Sequence, residues 1–413
     1  MKKICLITPG HISSNPRLVK EAKALSANGF RIHIVFTQYL QNLISYDEEI
    51  LTSNADWEYS VIDWTGKSLS SKILRNSSGL RQRFYNALFA LFPNNPHILA
   101  LISNRHNRLQ CRQAVAAAAD LYIAHNLGAL PVAVYAAKKN GVKSGFDAED
   151  LHRYELHDRP DHPDAKRKRL IEDRYIPQTD YTTAGSPMIA EHYQQLFHRS
   201  FTPILNVFER TSFEHPSAFE PGEPLRLFWF SQTIGPNRGI ETAVNAISLI
   251  TDVTIELHLL GTSDPVFSDK IRELAAGFAA GGHSLHFHAI RSQEQLIELT
   301  RQFPIGLASE SGFSINNDSA LSNKLFTYIQ CGLAVLASDT SAQAGFLRAY
   351  PEAGVLYKKE NPDSLAQAIR VYASDREKLL RSQRHNHMLG QQTMNWETES
   401  RNFLNVINKL FSL

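Results

Sequence analysis

The chain has 413 residues, of which 43% are apolar and 20% charged, and its 43 Lys and Arg are nearly balanced by 41 Asp and Glu. This length favours two domains, and the composition is typical of a globular protein, which excludes the disordered and fibrous classes. A formal net charge of only +2 excludes a general electrostatic attraction to nucleic acid, so we predict no nucleic-acid partner.

Cysteine spacing and hydropathy exclude further classes. Cys5, Cys111 and Cys331 are far apart, and none has a metal-ligand spacing such as Cys-x-x-Cys, so neither a disulfide framework nor a zinc site is expected. The apolar run before Pro9 is too short for a signal peptide, and no run of about twenty apolar residues could span a bilayer. We therefore expect a cytoplasmic protein.

In chain order, short apolar runs alternate with helix-length segments through the first half. Leu18, Ala22 and Leu25 recur at helical spacing within 16–27, which predicts a helix there. The other elements predicted in this half are strands at 3–8, 31–36, 121–124, 143–146, 182–183 and 203–205 and a helix at 132–139. Strands separated by helices favour a parallel sheet covered on both faces.

The periodicity lapses over 206–224, where Pro, Glu and Ser are abundant, and we interpret 207–224 as a linker. The alternation then restarts, which predicts an N-terminal domain over 1–206 and a C-terminal domain over 225–395. The elements predicted in the second are strands at 225–231, 255–261, 284–289, 304–308 and 333–339 and helices at 238–250 and 321–332. The predicted fold class is α/β, with two doubly wound Rossmann-like domains facing a central cleft.

Residues 396–413 predict a final amphipathic helix, with Trp396, Phe403 and Ile407 among its apolar residues. Two interpretations stay open. The helix caps the C-terminal domain, or it returns to pack on the N-terminal domain.

The segment SNKLFTYIQCGLAVLASD at 322–339 joins a predicted helix to the clearest strand of the second half. On a helix, Asn323, Lys324 and Thr327 share a face, and the unpaired N–H groups of a first turn favour anions. These side chains suit ribose and phosphate oxygens. An ordinary exposed first turn is the alternative interpretation.

This segment resembles the nucleotide-binding helix of retaining glycosyltransferases of family 4, in the subgroup marked by Asn-Lys-Leu-Phe. Other segments resemble the same family in order: TPGHISSNPRLVKEAKAL (8–25), DLYIAHNLGALP (120–131), GFDAEDLHRYE (145–155), DYTTAGSPMIAEHY (180–193), PILNVFE (203–209) and FWFSQTIGPNRGIETAV (228–244). The resemblance implies a GT-B fold, a nucleotide-diphosphate-sugar donor, retention at the anomeric carbon, and neither metal nor cofactor. It also implies a saccharide or lipid-linked acceptor, as in polysaccharide or glycan biosynthesis.

Without a metal, fixed cations must stabilise the charge that a leaving diphosphate gains. Arg238 stands where the family usually has a basic residue before its loop glycine, and we expect Arg238 and Lys324 to clamp the diphosphate. A solvated loop arginine is the alternative for Arg238. The donor-nucleotide contacts expected are Gln232, Gly235, Arg238, Phe313, Asn323, Lys324 and Thr327.

The sequence departs from the family pattern at two donor-side positions. Gln232 replaces an arginine that relatives often have, and Thr327 replaces the second of their paired glutamates. The first glutamate has two candidates: Ser319 fits the spacing, while Glu310 in SESGF resembles the family's Glu-Gly-Phe-Gly loop. We favour Glu310 as the donor-sugar contact. The catalytic residues expected are His125, Arg238, Glu310 and Lys324.

The acceptor-side candidates follow the strands of the first domain. His125 ends a strand, and the resemblance implies that it hydrogen-bonds the donor sugar, with a satisfied structural histidine as the alternative. Carboxylates after the next strand suit the orientation or deprotonation of an acceptor hydroxyl. Relatives often have a histidine where Glu149 stands, and capping of the sheet is an alternative for Arg17. The acceptor-side residues expected are Gly10, Asn15, Arg17, Asp147 and Glu149.

Residues 64–119 contain no Asp or Glu, and basic side chains alternate there with aromatic and apolar ones. A basic helix with aromatic residues suits adsorption to an anionic membrane surface through 67–112, which predicts a peripheral location on the inner face of the membrane. A solvated face over an ordinary core is the alternative. The cations concerned are Lys67, Lys72, Arg75, Arg81, Arg83, Arg105, Arg108 and Arg112.

Sugar transfer is the function that these observations favour. Two other hypotheses stay open: a sugar-nucleotide epimerase or hydrolase of the same fold, and a degenerate GT-B protein that binds a saccharide without catalysis. The missing second glutamate and Gln232 support the latter.

Overall fold

The computed structural model describes residues 1–211 and 222–412. Of the predicted linker, 207–224, residues 212–221 lie outside the described residues. Two parallel sheets organise the remainder, each within its own structural unit.

Unit 1, Met1–Ile204 with Ser400–Leu413, contains a seven-stranded sheet in which every neighbouring pair is parallel. The strand order is β3-β2-β1-β4-β5-β6-β7. Ile4, Leu6 and Ile7 are fully buried, as expected for a central parallel strand covered on both faces. The strands are β1 (Lys3–Ile7), β2 (Arg31–Gln38), β3 (Glu58–Asp63), β4 (Leu121–His125), β5 (Lys143–Ala148), β6 (Tyr181–Ala184) and β7 (Thr202–Pro203).

The first helix of unit 1 begins where local chemistry places it. The Asn15 side chain accepts a hydrogen bond from the backbone N–H of Leu18, and Pro16 occupies the first helical position. The helices of this unit before the linker are α1 (Pro16–Ala27), α2 (Ile44–Thr52), α3 (Leu69–Leu91), α4 (Pro96–Ser103), α5 (Asn107–Ala117), α6 (Leu130–Asn140), α7 (Pro163–Tyr175) and α8 (Pro187–Phe197). The single basic helix expected within 67–112 is therefore corrected to three, because Pro93 and Pro96 and the segment 104–106 interrupt it.

Unit 2, Leu205–Glu399, contains a six-stranded parallel sheet in the order β10-β9-β8-β11-β12-β13. Leu227 and Phe228 belong to different apolar clusters, because successive side chains of a strand point to opposite faces. The strands are β8 (Leu225–Ile234), β9 (Ile255–Ser263), β10 (Ser284–His288), β11 (Ile305–Ala308), β12 (Ala334–Ser338) and β13 (Gly354–Tyr357). The helices are α9 (Ile240–Ser248), α10 (Pro265–Leu274), α11 (Gln293–Thr300), α12 (Ile315–Ser319), α13 (Asn323–Cys331), α14 (Ser341–Ala349), α15 (Pro362–Ser374), α16 (Arg376–Gln392) and the start of α17 (Trp396–Ser412).

The predicted pair of doubly wound parallel sheets is confirmed. Two strands were not predicted, β3 and β13, and each lies at an edge of its sheet. Four of the six residues of β3 are exposed, so this strand lacks the continuous apolar run that marked the central strands.

The C-terminal part of α17, from Ser400, belongs to unit 1. The Lys143 ammonium donates to the carbonyl of Leu410 at 2.6 Å, and the rings of Phe30 and Phe411 stack with centroids 5.6 Å apart. These contacts attach the C-terminal part of α17 to unit 1, while its first turn, from Trp396, lies in unit 2. No helix among the described residues combines the length and apolarity needed to cross a membrane.

Candidate functional site

In unit 2, the loop after β8 carries Arg238 and depends on a glycine. Gly239 has a φ of +74°, and a Cβ at this position would lie 2.7 Å from the Cβ of Ser309. The Ser309 hydroxyl donates to the carbonyl of Arg238 at 2.7 Å. The left-handed conformation and the close approach both require glycine at this position. The hydrogen bond from Ser309 connects the loop after β8 to the end of β11.

Glu310, just after β11, forms a buried ion pair with Lys324 in the first turn of α13. The Lys324 Nζ lies 2.7 Å from Glu310 Oε1, and the Asn317 amide donates to Glu310 Oε2 at 3.3 Å. Burial would raise the pKa of Glu310, but the Lys324 ammonium and these hydrogen bonds lower it below its usual value. Two residues expected at the donor site are therefore in contact, and the carboxylate is ionised at neutral pH.

The side chains of Arg238 and Lys324 both contact residues of β8. The Arg238 guanidinium donates to the Ser231 hydroxyl at 2.8 Å, and the Lys324 ammonium lies 5.6 Å from the ring centre of Trp229. Trp229 and Ser231 both belong to β8. Among the described residues, Arg238 forms no ion pair, so its charge is not neutralised by a carboxylate.

The other donor-side candidates differ in accessibility. Gln232, Phe313 and Asn323 are exposed, whereas Gly235 is buried. Asn323 accepts a hydrogen bond from the Asn206 amide at 3.1 Å. Ser319, the alternative to Glu310, is buried in the short helix α12.

The structure corrects the expected nucleotide contact of Thr327. Its side chain is fully buried, and its hydroxyl donates to the carbonyl of Asn323 at 2.9 Å within α13. A hydroxyl bound to the preceding helical turn is a common use of threonine in a helix. This placement does not support a contact between Thr327 and a ribose.

In unit 1, His125 ends β4 inside a cluster of carboxylates and is fully buried. Its Nε2 lies 3.3 Å from Glu21 Oε2, and its Nδ1 lies 3.5 Å from Glu149 Oε1 and 3.6 Å from Asp147 Oδ2. Burial opposes protonation, but Glu21 and then the other carboxylates raise the pKa of His125 to about 10. Both nitrogens face carboxylates, so His125 is a buried, positively charged residue. Its contact with the donor sugar stays a prediction.

Arg17 and Asp147 hold this cluster together. The Arg17 guanidinium donates from Nε and Nη2 to the two oxygens of Asp147, the second at 2.8 Å, and the Thr183 hydroxyl donates to Asp147 Oδ1 at 2.6 Å. Burial raises the pKa of Asp147, but the Arg17 charge outweighs it and lowers the pKa. Both side chains are almost fully buried, so the expectation that they contact an acceptor is corrected to a supporting role.

Glu149 is the cluster carboxylate that reaches the surface, with 24% of its side chain exposed. The Asn15 amide donates to Glu149 Oε1 at 2.8 Å, so Asn15 both caps α1 and orients this carboxylate. Gly10 is half-buried, and its carbonyl accepts from the backbone N–H of Thr37 at 3.1 Å. Of the expected acceptor-side residues, Glu149 remains accessible.

Glu21 is a member of this cluster that the sequence did not predict. It is fully buried beneath His125 and lies four residues after Arg17 on α1, with Arg17 Nε 3.7 Å from Glu21 Oε1. The sequence did contain a signal for this pair. Arg17 and Glu21 have opposite charges four residues apart, and they lie beside the apolar face that contains Leu18 and Leu25.

His11 and Asp47 form a second buried pair that the sequence did not predict. The His11 Nε2 accepts backbone hydrogen bonds from Tyr39 and Leu40, so Nδ1 carries the proton and donates to Asp47 Oδ2 at 2.6 Å. This pair fixes the loop after β1.

Two groups of described residues could hold a metal ion, with one ligand atom per residue within 4.8 Å of the others. In the unit 1 group, Arg17 already pairs with Asp147, so its guanidinium would compete with a metal cation. In the unit 2 group, His258 and His286 are opposite each other on β9 and β10. Neither group includes the donor-side ion pair, and metal independence stays a prediction. The groups are Glu21, His125 and Asp147, and Glu256, His258 and His286.

Comparisons with known proteins agree with this architecture. Residues 225–375 match the family model described as glycosyl transferases group 1, and a search of curated proteins found no relative. The chain is similar to the structure of HepE from Anabaena in complex with UDP, with a TM-score of 0.68 and 14% identity over 99% of this chain and 100% of that chain.

Two further solved structures are similar to the chain over nearly their whole lengths. Sucrose-phosphate synthase from Thermosynechococcus elongatus has a TM-score of 0.67 and 16% identity over 100% of both chains. The lipopolysaccharide outer core galactosyltransferase WaaB has a TM-score of 0.64 and 14% identity over 98% of this chain and 99% of that chain. These likenesses confirm the predicted GT-B fold class.

Proposed function

We propose that the chain is a retaining, metal-independent glycosyltransferase that moves a sugar from a nucleotide-diphosphate-sugar to an acceptor hydroxyl. The observation that carries this proposal is the buried Glu310–Lys324 pair beside Arg238 at the strand ends of unit 2. All three residues lie within 225–375, the segment that matches the glycosyltransferase model.

The donor would bind through its diphosphate at these two cations. As the bond to the sugar breaks, negative charge develops on the diphosphate, and fixed positive groups stabilise that charge without reorganisation. Lys324 stands in the first turn of α13, where backbone N–H groups add to the attraction for anions. HepE was solved with UDP and with UDP-glucose, which supports a nucleotide-sugar as the donor class.

Glu310 would have two roles in this proposal. Its carboxylate holds the Lys324 ammonium in place before the donor arrives, and its position just after β11 suits a hydrogen bond to a donor-sugar hydroxyl. A carboxylate accepts stronger hydrogen bonds than a neutral oxygen does, so this contact would fix the orientation of the donor sugar.

Glu149 is the residue of unit 1 that we assign to the acceptor. Its exposed carboxylate would orient the acceptor hydroxyl, while His125 and Asn15 position it from within the protein. We propose a saccharide or lipid-linked saccharide as acceptor, in the synthesis of a cell-surface glycan, which is in keeping with the similarity to the lipopolysaccharide galactosyltransferase WaaB.

Calorimetric binding of nucleoside diphosphates in the presence of a chelator tests the donor site. We expect one diphosphate to bind, and Lys324→Ala to weaken it roughly 100-fold, since truncating one partner of a buried charge pair costs a few kcal/mol. Lys324→Arg should retain part of the affinity. Lys270→Ala is the matched control, because Lys270 forms an exposed ion pair with Glu241 in the same unit.

Product analysis tests the reaction. Transfer to an added saccharide acceptor, with the donor's anomeric configuration kept in the product by NMR, would support the proposal. Free sugar released at the same rate with or without an acceptor would favour the hydrolase alternative. Absence of binding across all nucleoside diphosphates would overturn the proposal.

A further inference from the structure

Helix α3 of unit 1 presents a row of large apolar side chains to solvent. The exposed fractions of these five side chains lie between 60% and 76%. Their spacing of four and seven residues places them along one face, because seven residues make close to two helical turns. The row, which we call the α3 stripe, consists of Leu69, Ile73, Leu80, Phe84 and Leu91.

The opposite face of α3 accounts for its packing. Ser71 and Ser78 are buried there, and the Trp64 indole donates to the Ser78 hydroxyl at 2.9 Å. The α3 stripe is therefore not needed to attach the helix to its unit. A continuous row of five large apolar side chains is unusual on a solvent-exposed protein surface and indicates an interaction site.

The surroundings of the stripe are positively charged. No Asp or Glu occurs within 64–119, and Lys72 and Arg83 are exposed on one border of the stripe. Arg75 and Arg105 lie over the ring of Trp64, at 5.4 and 5.3 Å from its centre. Apolar and basic groups thus form a single surface.

A cavity of about 830 Å³ continues this surface between α4, α5, α6 and α7. None of its lining residues is acidic. The Arg108 guanidinium lies 5.5 Å from the ring centre of Tyr85 on α3, so the cavity borders that helix. Its basic lining residues, the α4–α7 cations, are Arg108, Arg112, Lys138, Lys139 and Arg174.

We propose that the α3 stripe and the α4–α7 cations form a docking surface for an anionic phospholipid bilayer. The stripe would enter the boundary between headgroups and acyl chains, and the cations would bind headgroup phosphates. A second copy of the chain is a poorer occupant, because it would bring two acid-free basic surfaces together. The inference is independent of the proposed sugar transfer.

Flotation of the full-length chain with lipid vesicles tests the docking surface. We expect binding to vesicles of phosphatidylcholine mixed with phosphatidylglycerol and little binding to phosphatidylcholine alone. Raising the salt from about 0.1 M to about 1 M shortens the Debye length from about 10 Å to about 3 Å and should release most of the protein.

Two double variants separate the apolar and basic contributions. Leu80→Gln with Phe84→Gln should lower the partition coefficient at least tenfold, because about half of the apolar area of the stripe is lost. Arg112→Gln with Lys139→Gln should lower it roughly thirtyfold, from about 1 kcal/mol for each cation near anionic lipid. Val266→Gln with Met388→Gln, two exposed apolar residues of unit 2, is the matched control and should bind as the wild type does.

Three results with vesicles or in sedimentation would overturn the inference. They are equal binding to neutral and anionic vesicles, unchanged binding of both double variants, and sedimentation of the wild type as a dimer that Leu80→Gln with Phe84→Gln converts to a monomer. Binding of soluble glycerophosphate without any binding to vesicles would overturn it as well. Thermal unfolding of each variant at the wild-type temperature excludes misfolding as the cause.

Discussion

The charged residues of the two units are organised differently. In unit 1, Arg17, Glu21, His125 and Asp147 are buried and lie within ion-pair distance of one another, so their opposite charges largely offset each other. In unit 2, Lys324 has one carboxylate partner, and the Arg238 guanidinium contacts a hydroxyl. The unit 1 group, which we call the closed cluster, stabilises the fold. In unit 2, one carboxylate faces two cations, and the remaining positive charge suits an anion. We infer that a charged side chain at a strand end can bind a ligand where its ion pairing within the protein is incomplete.

The largest effect should come from opening the closed cluster. Arg17→Ala leaves Asp147 buried without its guanidinium, and we expect a loss of about 3–5 kcal/mol in the free energy of unfolding, measured by urea denaturation. Arg159→Ala is the control, because Arg159 and Asp161 form an exposed pair whose removal should leave the free energy of unfolding almost unchanged. Equal losses in the two variants would contradict the contrast between buried and exposed charge.

The next effect concerns the open pair. Glu310→Gln removes a negative charge but keeps an amide oxygen that can accept a hydrogen bond from the Lys324 ammonium, so affinity for the nucleoside diphosphate should be unchanged or increase. Turnover should fall by about 10²–10³, because a hydrogen bond that orients the reacting sugar is weakened. Calorimetry and steady-state kinetics measure the two separately. Loss of diphosphate affinity with unchanged turnover would show that Glu310 acts only by placing Lys324.

The closed cluster also predicts a pH dependence. The carboxylates around His125 raise its pKa from 6.5 to about 10, so the folded chain binds this proton more tightly than the unfolded chain. The resulting stabilisation is fully present below about pH 6.5 and is lost as the pH rises through about 10. The difference in unfolding free energy between wild type and His125→Gln should shrink over this window, by at most about 1.4 kcal/mol for each pH unit. A constant difference would mean that His125 is neutral in the folded protein.

The smallest effect is expected at Thr327. Its hydroxyl is bound to the carbonyl of Asn323 and its side chain is fully buried, so Thr327→Val should change nucleoside diphosphate affinity less than twofold. A tenfold loss, with thermal stability unchanged, would restore the ribose contact that the sequence suggested.

The fold could be predicted from the sequence where the signal is local. Asn15 followed by Pro16 marks the start of α1, and the apolar runs of the central strands report burial on both faces. The edge strand β3 escaped prediction because exposure removed its apolar pattern.

The site was predictable only in part, for a related reason. Lys324 and Glu310 were identified by their motif and lie close in sequence. The bond between Arg17 and Asp147 joins residues 130 positions apart, and no local pattern reports such a partner. Direct ligand contacts were therefore predicted at Arg17 and Asp147, whose side chains instead bind each other within unit 1.

A crystal structure with a non-hydrolysable nucleotide-sugar, grown in the presence of a chelator, tests the central claim most directly. We expect diphosphate oxygens about 3 Å from both Lys324 Nζ and the Arg238 guanidinium, with the sugar beside Glu310. A donor bound elsewhere, or a diphosphate that contacts neither cation, would contradict it.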